Sequence, residues 1–428
     1  MGSPAALDGI RVLDFTRLGF GAQATLILGC LGAEVIKVES TKHPDGVRLI
    51  PPLVPVRGER GEGFGNASLA TATKLRSYNR GGTFFKYNTG GKRSITVDAR
   101  TAGGRALLER LVAVSDVVTE SFAAGTMARW GLGYDRLRAI KPDIVYVSMC
   151  GFGHSGPDSS CVTMGPTAQA LTGLTAMVGL PDRPPAGWSF SYLDHVGGYL
   201  GAFAVLHALH HRRRTGEGQH VDVSQLEPAT ALLGPVLLDF VVNGTRYRAR
   251  GNRRGGAPQG AYRAAGDDRW VVISCTTEDH WRRFVDAIGA PAWTADERFA
   301  WLADRVEHAA ELDAHVEAWT STRDRYAVMD LLQAHGVPCG AVQDAADRLE
   351  RDPQLAARGH FTPLRSTEVG ELPLEGVPFR MSATPPHAGG VIRRGPPDLG
   401  EDTDEVLQRV LELGAGDIAA LRDEGVLT

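Results

Sequence analysis

The chain reads as an α/β protein whose sheet is mainly parallel and covered by helices on both faces. Two observations predict this. The first is the opening order of elements: IRVLDF (10–15) is a short apolar strand and RLGFGAQ a glycine turn. ATLILGCLG is then a helical run ending at Gly32, and AEVIKVES (33–40) a second strand. Strands separated by a helix pair in parallel, because a hairpin turn cannot accommodate the crossover. The second is that the alternation continues through RSITVDAR (93–100), GGRALLERLVAVS, SDVVTESF (115–122) and DIVYVSMCGFG (143–153). Strands with nearly continuous apolar runs are buried on both faces, as helices on both sides require.

The 428 residues suffice for one large domain and a smaller one. A formal charge of −4 with 22% charged residues provides no basic excess for nucleic acid. No apolar stretch approaches the length of a membrane span, and MGSPAALDGIRVLDF runs into a strand-like segment without a signal-like region. The expectation is a cytoplasmic protein without membrane contact. Cys30, Cys150, Cys161, Cys275 and Cys339 are odd in number and scattered, which argues against a disulfide framework or a zinc site.

Residues 41–90, rich in Gly, Pro, Arg and Asn, predict a long irregular excursion over the ligand. A long helix is expected over 195–213, then the strand QHVDVS (219–224) and a helix from about 225 to 243. GNRRGGAPQGAYRAAGDDRWVVISC predicts a glycine-rich loop and two strands joined at Asp267-Asp268. HWRRFVDAIG and 310–335 supply helices of a smaller α/β unit, and EDTDEVLQRVLELG and DIAALRDEGV form two final helices.

Asp194 is the most informative side chain. Tyr192 and Leu193 precede it, and Gly197, Gly198 and Gly201 follow. A carboxylate held among apolar neighbours is poorly hydrated and therefore a stronger nucleophile. Asp is also a favoured N-cap, and the window alone favours a cap on a helix beginning near His195. Gly19-Phe20-Gly21-Ala22-Gln23-Ala24 follows a strand and opens a helix, with Glu39 about twenty residues on. That fits a dinucleotide fingerprint with a ribose-binding acid, and so a nicotinamide-dependent oxidoreductase. His207, His210 and His211 have metal-ligand spacing, but they lead into Arg212-Arg213-Arg214, which reads as a solvated helix terminus. No G-x-S-x-G elbow is present. Lys37, Lys42, Arg48, Lys92, Arg93 and Arg100 surround the early strands and together could meet a phosphate-rich ligand.

Several segments together resemble the class III coenzyme A transferases (the CaiB/BaiF type), the family of formyl-CoA transferase, the carnitine CoA-transferases and α-methylacyl-CoA racemase. They are LDGIRVLDFTR, LGAEVIKVES with Asp45 and Arg48, GGKRSITVDARTAGGRALLERLVAVSDVVTESFAAG, and GLGYDRLRAIKPDIVYVSMCGFGHSGP. LDHVGGYLGAFAVLHAL, RTGEGQHVDVS, GVPCGAV and PDLGEDTDEVL follow, in order across essentially the whole chain. The resemblance implies a large Rossmann-like domain at 1–195, completed by 395–428. It implies a linker helix and strand at 196–225, a small α/β domain at 226–335 and a returning linker at 336–394. Two chains would interlock like links, with a site between the large domain of one and the small domain of the other.

The resemblance also implies the chemistry, and it moves Asp194 from cap to nucleophile. Asp194 would attack an acyl-CoA thioester, giving a mixed anhydride and then an aspartyl-CoA thioester, and the CoA would pass to a small carboxylic acid. Coenzyme A is then a substrate, with no metal and no permanently bound cofactor. The implied CoA contacts are Arg17, Leu18, Lys37, Arg100, Ser121, Phe122, Arg129 and Trp130. Gly19 and Phe20 depart from the transferase prototype, which carries a glutamine at that turn. Met164-Gly165-Pro166-Thr167-Ala168-Gln169 lacks both the family's usual acid and the racemase histidine, which counts against racemisation. Trp188 and Tyr192 suggest a roomy pocket for aromatic or branched dicarboxylic acids. Gly255-Gly256 resembles the family's mobile glycine loop. A non-catalytic or repurposed member acting as one subunit of a heteromer with a sister chain stays open beside the oxidoreductase reading.

Overall fold

The computed structural model describes residues 4–50, 82–187 and 191–428. Trp188 and most of the excursion expected at 41–90 lie outside the described residues. The chain divides into two compact units, one of residues 1–175, 187–245 and 356–428, the other of 176–186 and 246–355.

In the larger unit, six strands form one parallel sheet: β1 (Arg11–Phe15), β2 (Glu34–Glu39), β3 (Arg93–Thr96), β4 (Val117–Glu120), β5 (Val145–Cys150) and β6 (Gln219–Ser224). Their spatial order is β3-β2-β1-β4-β5-β6. The chain builds outward from β1 through β2 and β3, then returns to place β4 on the other side of β1. Val12 of β1 therefore stands between Val35 and Val117. Connections leave β1 and β4 in opposite directions, so a crevice opens between the carboxyl ends of these two strands.

Successive strand residues face opposite layers, which is why both covers are apolar. Leu13, Ile36 and Val118 pack with Val406, Leu407 and Ile418 of the final helices Thr403–Leu411 and Ala415–Asp423. On the other face Val12, Val35 and Val147 pack with Leu28, Ala202 and Val205. Leu28 belongs to the helix Phe20–Cys30, which is buried at every position, and Ala202 and Val205 to the central helix Tyr192–Thr215. Three glycines let these helices approach. A Cβ on Gly197 would fall 2.4 Å from the Phe20 ring, and one on Gly198 2.5 Å from Gln23. On Gly201 it would fall 2.8 Å from Met149.

The expected linkers are corrected. Residues 196–225 contain most of the central helix and the edge strand β6, both integral to the larger unit. The helices Leu226–Leu232 and Gly234–Asn243 belong there too, so the smaller unit begins its main segment at 246. Residues 356–394 return to the larger unit and include an antiparallel hairpin, Phe361–Ser366 with Gly370–Glu375. Periodicity locates a helix or strand but does not say which partner covers its apolar side.

The smaller unit holds the antiparallel strands Gln259–Arg263, Trp270–Ser274 and Cys339–Ala341. Helices Glu278–Ala287, Ala309–Thr320 and Arg325–Ala334 supply Phe284, Leu312, Val316, Val328 and Leu332 to its core. Among the described residues no single helix is long and apolar enough to cross a membrane.

Candidate active site

Asp194 lies in the first turn of the central helix, whose N-cap is Ser191. It is therefore not the cap that its local sequence favours, and its carboxylate is committed elsewhere. Oδ1 accepts from Gln225 Nε2 at 2.5 Å. Oδ2 packs against Gly19 and faces Gly165: a Cβ on Gly19 would lie 2.5 Å from it, and one on Gly165 3.8 Å away. Burial pushes the Asp194 carboxyl above its ordinary range, while hydrogen bonds from Gln225 and Ser191 pull the other way. A poorly hydrated carboxylate is, in its ionised form, suited to attack an electrophilic carbonyl.

Asp194 opens onto a cavity of about 240 Å³ at the carboxyl ends of β1, β4 and β5. Its walls include Arg17, Leu18, Gly19 and Phe20 after β1, Ser121 and Phe122 after β4, and Cys150 and Gly151 at the end of β5. Val162, Met164, Gly165 and Gln225 also line it, and Gly165 stands in the stretch where the family usually carries an acid. Burial raises the Cys150 thiol to about 11, which keeps it protonated at neutral pH. A second cavity, about 280 Å³, adjoins the first through Arg17 and Phe122, and Phe15, Val38, Arg100 and Trp130 also line it. The Phe122 and Trp130 rings meet edge to face at 5.0 Å, and Arg17 lies over Phe122 at 5.9 Å. Together the cavities can take a flat aromatic group at one end and a reacting carbonyl at the other.

Six of the eight proposed CoA contacts, Arg17, Leu18, Arg100, Ser121, Phe122 and Trp130, thus line one cavity or both. Two do not. Lys37 has no exposed surface: its ammonium donates to Thr16 O at 2.7 Å and pairs with Asp45 at 2.9 Å. It acts one layer behind the site. Asp45 Oδ1 accepts from Leu18 N at 3.1 Å, and Leu18 sits in the left-handed region at φ 60°. The Lys37–Asp45 pair thereby helps hold a turn that a leucine does not adopt unaided. Arg129 lines neither cavity, and its guanidinium bonds back to Thr126 on its own helical turn.

The phosphate-binding cluster of six cations also disperses. Lys37, Arg48 and Lys92 are wholly interior. Lys42 pairs with Asp98, and Arg93 with Glu34 and Glu405. Of the six, only Arg100 reaches the cavity wall, itself bonded to Asp98. Glu39 reaches the wall of the second cavity, but its carboxylate is committed to an ion pair rather than open to a ribose. Both its oxygens accept from Arg48, at 2.9 and 2.6 Å, and Oε1 also accepts from Asp45 N. The nicotinamide fingerprint fails at that residue.

Sequence reasoning missed Gln225, which lies 31 positions from Asp194 and looks locally like the start of an ordinary helix. It also missed Tyr87, whose hydroxyl is 2.7 Å from Ser191 Oγ and 3.3 Å from His195 Nε2. The Tyr87 and His195 rings stack at 5.4 Å. Gly197, Gly198 and Gly201, which follow Asp194, lie inside the central helix and serve its packing.

Residues 7–403 match the family model described as CoA-transferase family III. The chain is 34% identical over 427 residues to the succinyl-CoA–D-citramalate CoA-transferase of Chloroflexus aurantiacus, covering 99% of this chain and 98% of that protein. It is 31% identical over 429 residues to the alpha subunit of a succinyl-CoA–L-malate CoA-transferase from Chloroflexus aurantiacus, covering 98% and 92%. The crystal structure of a CaiB/BaiF family protein from Brucella suis superposes with a TM-score of 0.82 at 31% identity, covering 95% of this chain and 100% of that one.

Proposed function

This chain belongs to CoA-transferase family III and is a CoA-transferase, and from that premise we propose that Asp194 is its acyl-accepting nucleophile. Asp194 Oδ2 attacks the carbonyl of a donor acyl-CoA, forming a mixed anhydride and releasing CoA thiolate. The thiolate attacks Asp194 Cγ, forming an aspartyl-CoA thioester and releasing the donor acid. An acceptor carboxylate then reverses both steps and departs as its CoA thioester. Each step exchanges one activated acyl group for another, so no external energy source is needed.

The observation that carries this reading is the half-buried Asp194 carboxylate, whose Oδ1 is held by Gln225 and whose Oδ2 lies against Gly19, on a residue that lines a cavity. Phe122 and Trp130 would pack on the adenine, and Arg17 and Arg100 would meet phosphates. Leu18 and Ser121 would line the pantetheine path. The names of the relatives make succinyl-CoA the first donor to test, with D-citramalate and L-malate as the first acceptors.

The proposal includes association with a second chain. The helix Gly234–Asn243 buries none of its residues and exposes Leu238, Val241 and Val242, an apolar face of the kind that association covers. A second copy is the primary reading. A sister subunit is the alternative, suggested by the relative named as an alpha subunit.

Asp194→Asn tests the chemistry. The variant is expected to lose CoA exchange, and hydroxylamine is expected to trap acyl-aspartate at position 194 in the wild type only. Retained exchange in a folded Asp194→Asn protein would refute the proposal. Transfer by the purified chain alone would remove the need for a sister subunit.

A further inference from the structure

The two oxygens of Asp194 stand in different surroundings, and the difference assigns them different tasks. Oδ1 is held by Gln225 Nε2, on a residue only 5% exposed. An amide oxygen facing a carboxylate would repel it, so the carboxamide nitrogen is the group that must face Oδ1. Gln225 is itself anchored, because its backbone N–H donates to Cys150 O at 2.9 Å and to Gly151 O at 3.1 Å. The next backbone N–H, that of Leu226, also donates to Gly151 O, at 3.1 Å. The donor therefore comes from the junction where β5 and β6 end, not from a mobile side chain at the surface. Oδ2 lies against the bare Cα of Gly19, with Gly165 beyond.

We infer that the Gln225 carboxamide is a catalytic hydrogen-bond donor that leaves Oδ2 free to attack and holds the oxyanion formed on Oδ1 whenever Asp194 Cγ is attacked. The inference rests on the acyl-aspartate reading above and extends it to the second half of each transfer. The first attack places negative charge on the donor's own carbonyl oxygen, whereas Gln225 is bonded to Oδ1. In the next step the CoA thiolate bonds to Cγ, and the carbonyl electron pair moves onto Oδ1, where the amide N–H already points. The pair then returns, Cγ=Oδ1 reforms, and the Cγ–Oδ2 bond breaks. Oδ2 leaves within the donor carboxylate with the bonding pair, and no proton is required. Attack by the acceptor carboxylate on the aspartyl-CoA thioester uses the same donor, with thiolate as the leaving group. A donor already in place needs no reorganisation as charge develops, which is the condition under which one hydrogen bond contributes most to rate.

The test uses two variants, Gln225→Met, which keeps the shape without the donor, and Gln225→Asn, which withdraws it. The probe is succinyl-CoA, or whichever acyl-CoA the wild type uses, mixed with full-length protein and quenched for intact-protein mass spectrometry. That measurement separates chains carrying acyl (the anhydride) from chains carrying CoA (the thioester). Thermal melts establish that each variant is folded. The expected result is a fall in kcat of about 10²–10³ with KM for acyl-CoA roughly unchanged. Acyl-bearing protein should accumulate while CoA-bearing protein disappears. If both adducts fall together in a folded variant, Gln225 only aligns Asp194 and the inference is wrong. Wild-type kcat in both variants overturns it as well. If the wild type itself forms neither adduct at Asp194, the acyl-aspartate reading fails first and carries the inference down with it.

Discussion

Replacing Gly19 with alanine adds one methyl group at the point where the first helix touches the Asp194 carboxylate. The new Cβ would sit 2.5 Å from Asp194 Oδ2, 2.9 Å from Cγ and 3.1 Å from Cβ. Real contacts of this kind stay beyond about 3.0–3.4 Å, so the carboxylate must retreat by roughly 0.5–0.9 Å. Rotating the carboxylate does not relieve the clash, because Cγ on the rotation axis is itself too close. The whole side chain must move, and Oδ1 then leaves its 2.5 Å contact with Gln225. The backbone does not resist the substitution, since Gly19 has φ −90° and ψ −58°, values an alanine adopts freely. Overpacking costs about 1–3 kcal/mol, and because Gly19 is the N-cap of the helix Phe20–Cys30 an alanine brings no helix-interior gain to offset it. That cost stays below the usual stability of a domain, about 5–15 kcal/mol. The protein should therefore fold, while a misplacement approaching 1 Å lowers kcat on the order of 10²-fold. The assay is steady-state transfer beside a thermal melt, with Gly165→Ala as control. A Cβ at Gly165 meets Oδ2 at 3.8 Å, an ordinary contact, so that variant should stay near wild type. Wild-type kcat in Gly19→Ala would show that the placement of Asp194 does not limit the reaction.

Lys37→Met leaves the Asp45 carboxylate buried without its cation, and a loss of about 3–5 kcal/mol is expected in urea unfolding. Unchanged stability with only a raised KM for CoA would instead return Lys37 to the ligand. Glu39 is buried, yet the Arg48 and Lys37 charges hold its carboxyl down at about 2, against an ordinary 4.5. Its stabilisation is therefore present above 4.5 and fades as pH falls towards 2, and Glu39→Gln should flatten the acid limb of a urea-midpoint profile. Burial lowers His195 to about 4 from its usual 6.5, so the unfolded chain takes a proton in that window that the folded chain refuses. Stability should fall as pH drops from 6.5 to 4, and less steeply in His195→Gln. Phe122→Ala removes the ring between Arg17 and Trp130, and KM for CoA should rise about tenfold with kcat nearly unchanged. An effect on kcat alone would place the adenine elsewhere.

Much of the frame was legible because it is local. Apolar runs separated by a helix require parallel pairing, and the glycine turn after IRVLDF marks a strand end facing a helix N-terminus. The observed β1, β2, β4 and β5 fall where those patterns place them. The family motifs extended this to Asp194 and to Arg17, Leu18, Arg100, Ser121, Phe122 and Trp130, which line the described cavities. Charge was read less well. Lys37, Arg48 and Lys92 look like surface cations in a linear text, yet all three are interior, paired with Asp45, Glu39 and Asp14. Burial of a charge depends on whether a counter-charge arrives from another segment, and periodicity carries no such information.

The sequence by itself determined the parallel α/β architecture, which follows from short-range pattern, while its family motifs, and not the window around Asp194, pointed to thioester exchange. Tertiary structure alone decided that β4 returns beside β1, opening the crevice, and that Gln225 reaches Asp194 across 31 positions. It also made Gly197 and Gly198 the bed for Phe20 and Gln23. These outcomes are pairings between distant segments, settled by which apolar faces and buried charges satisfy one another when the chain closes on itself.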